Sequence, residues 1–189
     1  MQGLSCACKK LIVVLSCALA GFSFTAEASA KQAVGIKMSS LYGGKKTTVA
    51  EHNLPSIVLA FQPNCRWCTK QGQDLSLLQQ QCGDLLNLSL LGVKAKRSAL
   101  KHELQHFDKN LPALEANSKF LKKVRGVQAT PSLFFFDADG NLISKRRGYL
   151  QAKRLFAAAS LLIEEQRGET DACQLPAQSS AGQPAAGER

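Results

Sequence analysis

Two cysteines separated by two residues are the strongest candidates for chemistry in this sequence, at Cys65-Arg66-Trp67-Cys68. If a helix begins at the first of them, the two sulfurs lie within bonding distance across one turn. Free N–H groups and the positive dipole end of a helix stabilise a thiolate, and Arg66 adds a positive charge. We therefore expect Cys65 to titrate below the usual thiol pKa of about 8.5.

This pair predicts a two-step exchange. The Cys65 thiolate attacks a substrate disulfide and forms a mixed disulfide, and Cys68, one turn deeper, then attacks Cys65 and releases the product. The reaction needs no cofactor. A Cys-x-x-Cys pattern also occurs in zinc sites, so the surrounding elements must decide between the two chemistries.

A second constellation, His102-Glu103-Leu104-Gln105-His106, has the H-E-x-x-H spacing that places two imidazoles on one helix face. A catalytic zinc site also needs a third ligand, and the one other histidine is the distant His52. The charged neighbours favour a solvated helix face and no metal site. Together with the two cysteines, these histidines leave open a second class of function, a metal-binding or copper-delivery module without turnover.

The apolar pattern around these residues predicts an α/β domain with a central sheet. Residues 56–61 form a continuous apolar run, typical of a strand buried on both faces, and the cysteine pair follows at a helix start. Asp139-Gly140 is a hairpin signal, so the last two strands should be antiparallel. Further strands are predicted at 85–93, 132–137 and 141–147, helices at 65–81, 98–107, 112–124 and from Leu155 to Gly168, and one weak strand or short helix within 31–54.

The conjunction of these features resembles the thioredoxin superfamily. The resemblance covers about 56–165 and rests on the buried strand, the cysteine pair at a helix start, Thr130-Pro131 before a later strand, the Asp-Gly hairpin and Gly148. It implies a thioredoxin-like fold, a mixed central sheet flanked by helices, with a helical insertion near 94–111 before the cis-proline strand. Thr130, together with an N-terminal apolar run after Lys9 and Lys10 that is typical of exported proteins, makes the chain most similar to the bacterial periplasmic thiol:disulfide interchange (Dsb-type) proteins.

By this resemblance Pro131 is cis and faces the cysteine pair, and the backbone of Thr130 pairs with a bound substrate strand. Trp67 lines the rim of the groove, and Arg66 tunes the thiolate. The implied activity is that of a thiol–disulfide oxidoreductase acting on protein thiols and disulfides, with a membrane redox partner and no cofactor.

Two departures from the family pattern bear on the role. Cytoplasmic reductases of the family often carry a buried acid six residues before the first cysteine, whereas this chain has Leu59. The absence of this buried acid, together with the cationic Arg66, favours a more oxidising Cys65–Cys68 couple. Periplasmic isomerases carry an N-terminal dimerisation domain for which 31–54 is too short, so we expect a monomer. Oxidase, reductase and isomerase roles stay open.

The resemblance also suggests a structural disulfide between Cys82 and Cys173. In a thioredoxin-like fold the cysteine-bearing helix and the last helix pack on one sheet face and end at the same edge, where these two residues lie. In the chain-entropy model this bridge would add about 4 kcal/mol to the free energy of unfolding. The alternatives are a small buried hydrophobe at Cys82, an exposed tail thiol at Cys173, or a second redox pair.

The N-terminal residues predict export to the periplasm. Lys9 and Lys10 precede an apolar run at 11–24, which is too short to cross about 30 Å of hydrocarbon, and Ala28-Ser29-Ala30 supplies a cleavage pattern. We therefore expect four segments. They are a signal peptide at 1–30, a lead-in at 31–54, a thioredoxin-like domain at 55–173 and a disordered tail at 174–189.

The net charge is strongly positive, with 24 Lys and Arg against 14 Asp and Glu, or +10. The basic residues are spread along the chain, and 1 Trp without an interleaved aromatic motif argues against nucleic-acid binding. A solvated basic surface that attracts acidic proteins or an anionic membrane fits better.

Overall fold

A computed structural model of the chain describes residues 33–50, 53–168 and 173–175. The expected signal peptide and almost all of the expected disordered tail lie outside these residues. A 7-stranded sheet has the order β2-β1-β5-β4-β3-β6-β7. The strands are β1 (Met38–Ser40), β2 (Lys46–Thr47), β3 (Ser56–Phe61), β4 (Asn87–Gly92), β5 (Ala113–Glu115), β6 (Ser132–Phe136) and β7 (Leu142–Arg147).

The predicted buried strand is the centre of the sheet. Every residue of β3 is buried, as its continuous apolar sequence requires. It runs parallel to β4 on one side and antiparallel to β6 on the other. The predicted hairpin follows, because β7 pairs antiparallel with β6. The expected mixed α/β architecture is therefore confirmed.

Helices cover both faces of the sheet. They are α1 (Arg66–Cys82), α2 (Arg97–Glu103), α3 (Ser118–Lys123) and α4 (Ala152–Arg167), and a 3-10 turn (Leu104–His106) continues α2. Apolar residues of α1, α2 and α4 share one core with the sheet. On the opposite face, Phe120 and Val124 pack with the N-terminal lead-in. No helix in the described part of the chain is long and apolar enough to cross a membrane.

The helix expected over 112–124 is wrong in its first half. Residues Ala113–Glu115 form β5, which lies between β4 and β1, with Ala113 beside Leu90. The helix begins only at Ser118, where the Asn117 side chain accepts a hydrogen bond from the N–H of Phe120. A buried sheet position outweighs the local helical pattern here, because strand pairing depends on residues distant in sequence.

The lead-in and the second helix also differ in detail from the sequence-based expectation. The lead-in forms two short paired strands, β1 and β2, where one weak strand or short helix was expected. The helix expected to Phe107 ends earlier and tightens into the 3-10 turn. Pairing of β1 with β5 extends the sheet on the side away from β7.

Candidate active site

The cysteine pair lies at the end of the central strand. After β3 the chain turns through Pro63 and Asn64, and Asn64 adopts a left-handed conformation with φ 58°. Asparagine tolerates this conformation better than most residues do. The turn makes Cys65 the N-cap of α1, so the first sulfur stands at the positive end of a helix.

The two sulfurs differ in exposure. They form a disulfide with Cα atoms 5.1 Å apart. Cys65 is half-buried, whereas Cys68 is 0% exposed. The N–H of Cys68 donates to Cys65 Sγ at 3.2 Å, so a helix N–H already points at the sulfur that would carry negative charge after reduction. A second molecule can reach Cys65 and not Cys68.

The Thr130–Pro131 peptide bond is cis and lies at the same sheet edge as the cysteine pair. Ser132 pairs with Ala60 in the antiparallel ladder between β6 and β3, so Pro131 lies beside the end of β3. Pro131 is buried and Thr130 is half-buried. The carbonyl of Pro131 accepts a hydrogen bond from the N–H of Gly148 at 2.8 Å, which ties this edge to the segment after β7.

Two aromatic rings form one rim of the site. Trp67, which lies between the cysteines, is 54% exposed. Its ring lies 5.4 Å from that of Tyr149, and Lys70 Nζ lies 5.3 Å from the same tyrosine ring. Burial, together with a hydrogen bond to Asp74 and its negative charge, raises the pKa of Tyr149 to about 12. The hydrogen bond between Tyr149 and Asp74 ties this rim to helix α1.

Buried polar side chains of α1 anchor this rim from below. Gln71 is 0% exposed, accepts a hydrogen bond from the N–H of Leu150 at 2.7 Å and donates to the Leu150 carbonyl at 3.1 Å. Asp74 is 8% exposed. Sequence reasoning missed both residues, although a signal existed, since they follow Cys68 by three and six residues among the buried positions of a largely apolar helix face.

The H-E-x-x-H segment does not bring its three side chains together. His102 and His106 are exposed, whereas Glu103 is 5% exposed and turned inward. Glu103 Oε2 accepts a hydrogen bond from the N–H of Asn64 at 3.1 Å, in the turn just before the first cysteine. Among the described residues no group of three or more His, Cys, Asp or Glu side chains could hold a metal ion. Sequence reasoning noticed Glu103 but missed this contact.

The remaining site residues lie around the pair. Leu59 is fully buried in β3, so no carboxylate occupies the position of the family's acid. Arg66 is exposed on the first turn of α1. Cys82 and Cys173 form a second disulfide at the other end of α1, with Cα atoms 5.7 Å apart, remote from the first pair.

Comparison with known proteins identifies the family. The model of the thioredoxin-like domain family matches residues 44–162, more than half of the chain. A search of curated protein sequences finds no match.

Solved structures with similar folds include several thiol–disulfide proteins. A thioredoxin-family thiol:disulfide interchange protein from Chlorobium tepidum has a TM-score of 0.61 at 17% identity, covering 73% of this chain and 99% of that one. A secreted Mycobacterium tuberculosis disulfide oxidoreductase has 0.59 at 15%, covering 70% and 99%. An exposed lipoprotein thioredoxin from Streptococcus pneumoniae has 0.57 at 18%, covering 66% and 96%. At these identities the likeness establishes the thioredoxin-like fold, as expected from the sequence.

Proposed function

We propose that this chain, which belongs to the family of thioredoxin-like domains, is an exported thiol–disulfide oxidoreductase that exchanges disulfides with protein substrates through Cys65 and Cys68. The observation that carries the proposal is the unequal exposure of two bonded sulfurs on the first turn of α1. Cys65 is open to attack at the positive end of the helix, and Cys68 is enclosed. This arrangement separates a nucleophile from a resolving thiol.

The reaction balances as a two-electron exchange. In the reduced protein the Cys65 thiolate attacks one sulfur of a substrate disulfide, and the other substrate sulfur leaves as a thiolate. Cys68 then loses its proton and attacks Cys65 Sγ, which re-forms the Cys65–Cys68 bond and releases the second substrate thiolate. Run backwards, the same steps oxidise a substrate dithiol. A membrane redox partner would reset the pair between turnovers.

The groove beside the pair is proposed to hold the substrate. Thr130, half-buried before the cis bond to Pro131, would pair through its backbone with an extended substrate segment. Trp67 would cover the other side of the reacting disulfide, since its ring stands exposed between the cysteines. The charge of Arg66 would favour the thiolate form of Cys65, which makes it a better leaving group when a partner attacks.

A trapping experiment tests this function. A Cys68→Ala variant, expressed in the periplasm of a Gram-negative host, should accumulate mixed disulfides with exported proteins that disappear on reduction. The matched control is Cys65→Ala/Cys68→Ala, which should trap nothing. Equal trapping by the two variants would overturn the proposal. Stoichiometric Cu(I) binding by the wild-type protein, without any disulfide exchange, would instead favour the copper-delivery alternative.

Export is proposed on separate grounds. Residues 1–30 have the pattern of a cleavable signal, and two of the similar structures are described as a secreted and an exposed protein. Fractionation of the tagged full-length chain, followed by N-terminal sequencing, should find it in the periplasm beginning at Lys31. A cytoplasmic protein that retains Met1 would contradict export without affecting the chemistry.

A further inference from the structure

A cleft of about 520 Å³ lies between the outer edge of β7 and helix α4. Its floor is apolar, formed by Phe135, Ala158 and Leu162. Its rim is basic, and no aspartate or glutamate lines it. The three arginines of the rim are Arg146, Arg147 and Arg154.

These arginines are exposed and available to a ligand. Within the described ranges, none of the three guanidinium groups hydrogen-bonds to or pairs with another side chain. Arg97 provides the contrast, because its guanidinium pairs with Glu115 at 2.6 Å. A planar guanidinium binds a carboxylate through two parallel hydrogen bonds, so three unpaired arginines around an apolar floor favour a ligand that carries carboxylates.

Among the described residues, the outer side of the β7 backbone is also unpaired. In the described part of the chain β7 is the last strand of the sheet and pairs with β6 alone, so its outer N–H and C=O groups are open to a further strand. Ile143 on this strand is 48% exposed. An extended segment can add to such an edge through main-chain hydrogen bonds. A second copy of this chain, with a net charge of +10, would be repelled, whereas an acidic segment would be attracted.

The cleft adjoins the aromatic rim beside the reactive disulfide. Tyr149 lines the cleft and also contacts Trp67, the residue between the two cysteines. Gly148, another lining residue, donates its N–H to the carbonyl of Pro131. A polypeptide lying along the cleft would therefore lead across the aromatic rim to Cys65.

We infer that the cleft between β7 and α4 binds acidic segments that flank the reacting cysteines of substrate proteins. This inference rests on the proposed function and adds a substrate class to it. Carboxylates of the substrate would bind Arg146 and Arg154, its apolar side chains would cover Phe135 and Leu162, and its backbone would pair with β7. The cleft would thus contribute to KM and leave the exchange chemistry unchanged.

The test compares two synthetic peptides with the same disulfide, one flanked by glutamates and the other by glutamines. Wild-type protein should exchange the acidic peptide with a KM lower by about tenfold at equal kcat. Arg146→Gln/Arg154→Gln should remove this preference. Lys122→Gln/Lys123→Gln, on the opposite face of the sheet, changes net charge equally and should keep it. Thermal melting must show that both variants are folded.

A binding measurement separates this inference from the proposed function. Fluorescence anisotropy with Cys65→Ala/Cys68→Ala protein needs no turnover and should show tighter binding of the acidic peptide, weakened by the paired arginine substitutions. Two results would overturn the inference about the cleft and leave the proposed function intact. One is an equal KM for both peptides, and the other is an equal loss of the preference for the acidic peptide in the arginine and lysine variants. Failure to exchange either peptide would overturn the proposed function, while anisotropy would still decide the cleft. Binding to phosphatidylglycerol vesicles and not to the peptide would reassign the cleft to a membrane surface.

Discussion

The two disulfides of this protein lie at opposite ends of one helix. Cys65 caps the first turn of α1 and is half-buried, whereas Cys82 is the last residue of α1 and, like Cys173, is 2% exposed. The first bond spans 3 positions and the second spans 91. Closing a long loop removes much chain entropy from the unfolded state, and closing a short one removes little. We therefore expect the same kind of covalent bond to serve chemistry at the first end of the helix and stability at the other.

The largest effect expected from this contrast is the loss of activity in Cys65→Ala. Without the accessible sulfur no mixed disulfide can form, so the rate of insulin disulfide exchange should fall by at least about a thousandfold. The free energy of unfolding should fall by no more than about 2 kcal/mol, because the bond closes a short loop. Residual exchange near the wild-type rate would mean that another thiol is the nucleophile.

Removing the second bond should lower stability and leave activity nearly unchanged. Cys82→Ala/Cys173→Ala should lower the free energy of unfolding by about 4 kcal/mol, since a long loop is then free in the unfolded chain. Denaturant titration followed by circular dichroism measures the loss. Activity at a temperature where the variant is folded should stay within about twofold of wild type. A large loss of activity in the folded variant would show that the two bonds exchange electrons.

Glu103 allows a test of whether the turn before Cys65 supports the reactivity of the cysteine pair. Its carboxylate holds the Asn64 N–H in the turn before Cys65, so Glu103→Ala should leave that donor unpaired and slow exchange by about tenfold. Glu103→Gln keeps an acceptor oxygen and should retain most of the rate. Stopped-flow exchange rates compare the two variants. If the two variants exchange at the same rate, the hydrogen bond to the Asn64 N–H does not affect the reactivity of Cys65.

The smallest expected effect concerns the rim of the reactive end. Burial and Asp74 raise the pKa of Tyr149 to about 12, so its phenol favours the neutral form in the folded protein. Stability from this group should be complete below pH 10 and fall as pH rises towards 12. In a Tyr42→Phe background, which leaves Tyr149 as the one tyrosine, Asp74→Asn should lower the midpoint of tyrosinate absorbance. An unchanged midpoint would show that Asp74 does not raise the pKa of Tyr149.

Sequence reasoning succeeded where the signal was local. The apolar run of β3, the cysteine pair after it and the Asp-Gly hairpin each occupy a few neighbouring residues whose chemistry dictates a strand, a helix start or a turn. The start of α1 and the antiparallel pairing of β7 could therefore be predicted. The second disulfide could be suggested only through a family resemblance, because nothing local to Cys82 points to Cys173.

It failed where distant residues decide the outcome. Ala113–Glu115 is a strand because β4 and β1 lie on either side of it, and neither neighbour is visible in the local pattern. The contact between Tyr149 and Trp67 likewise joins the loop after β7 to the first turn of α1. The sequence places Glu103 within a histidine motif, whereas its partner is a backbone N–H 39 residues away.

The most direct test of the contrast is a graded reduction of the native protein followed by alkylation and mass spectrometry of each cysteine. The account predicts that Cys65 and Cys68 become alkylated together at low reductant, while Cys82 and Cys173 stay protected until the protein unfolds. Opening of the Cys82–Cys173 bond first, or of both bonds at one reductant concentration in folded protein, would contradict it.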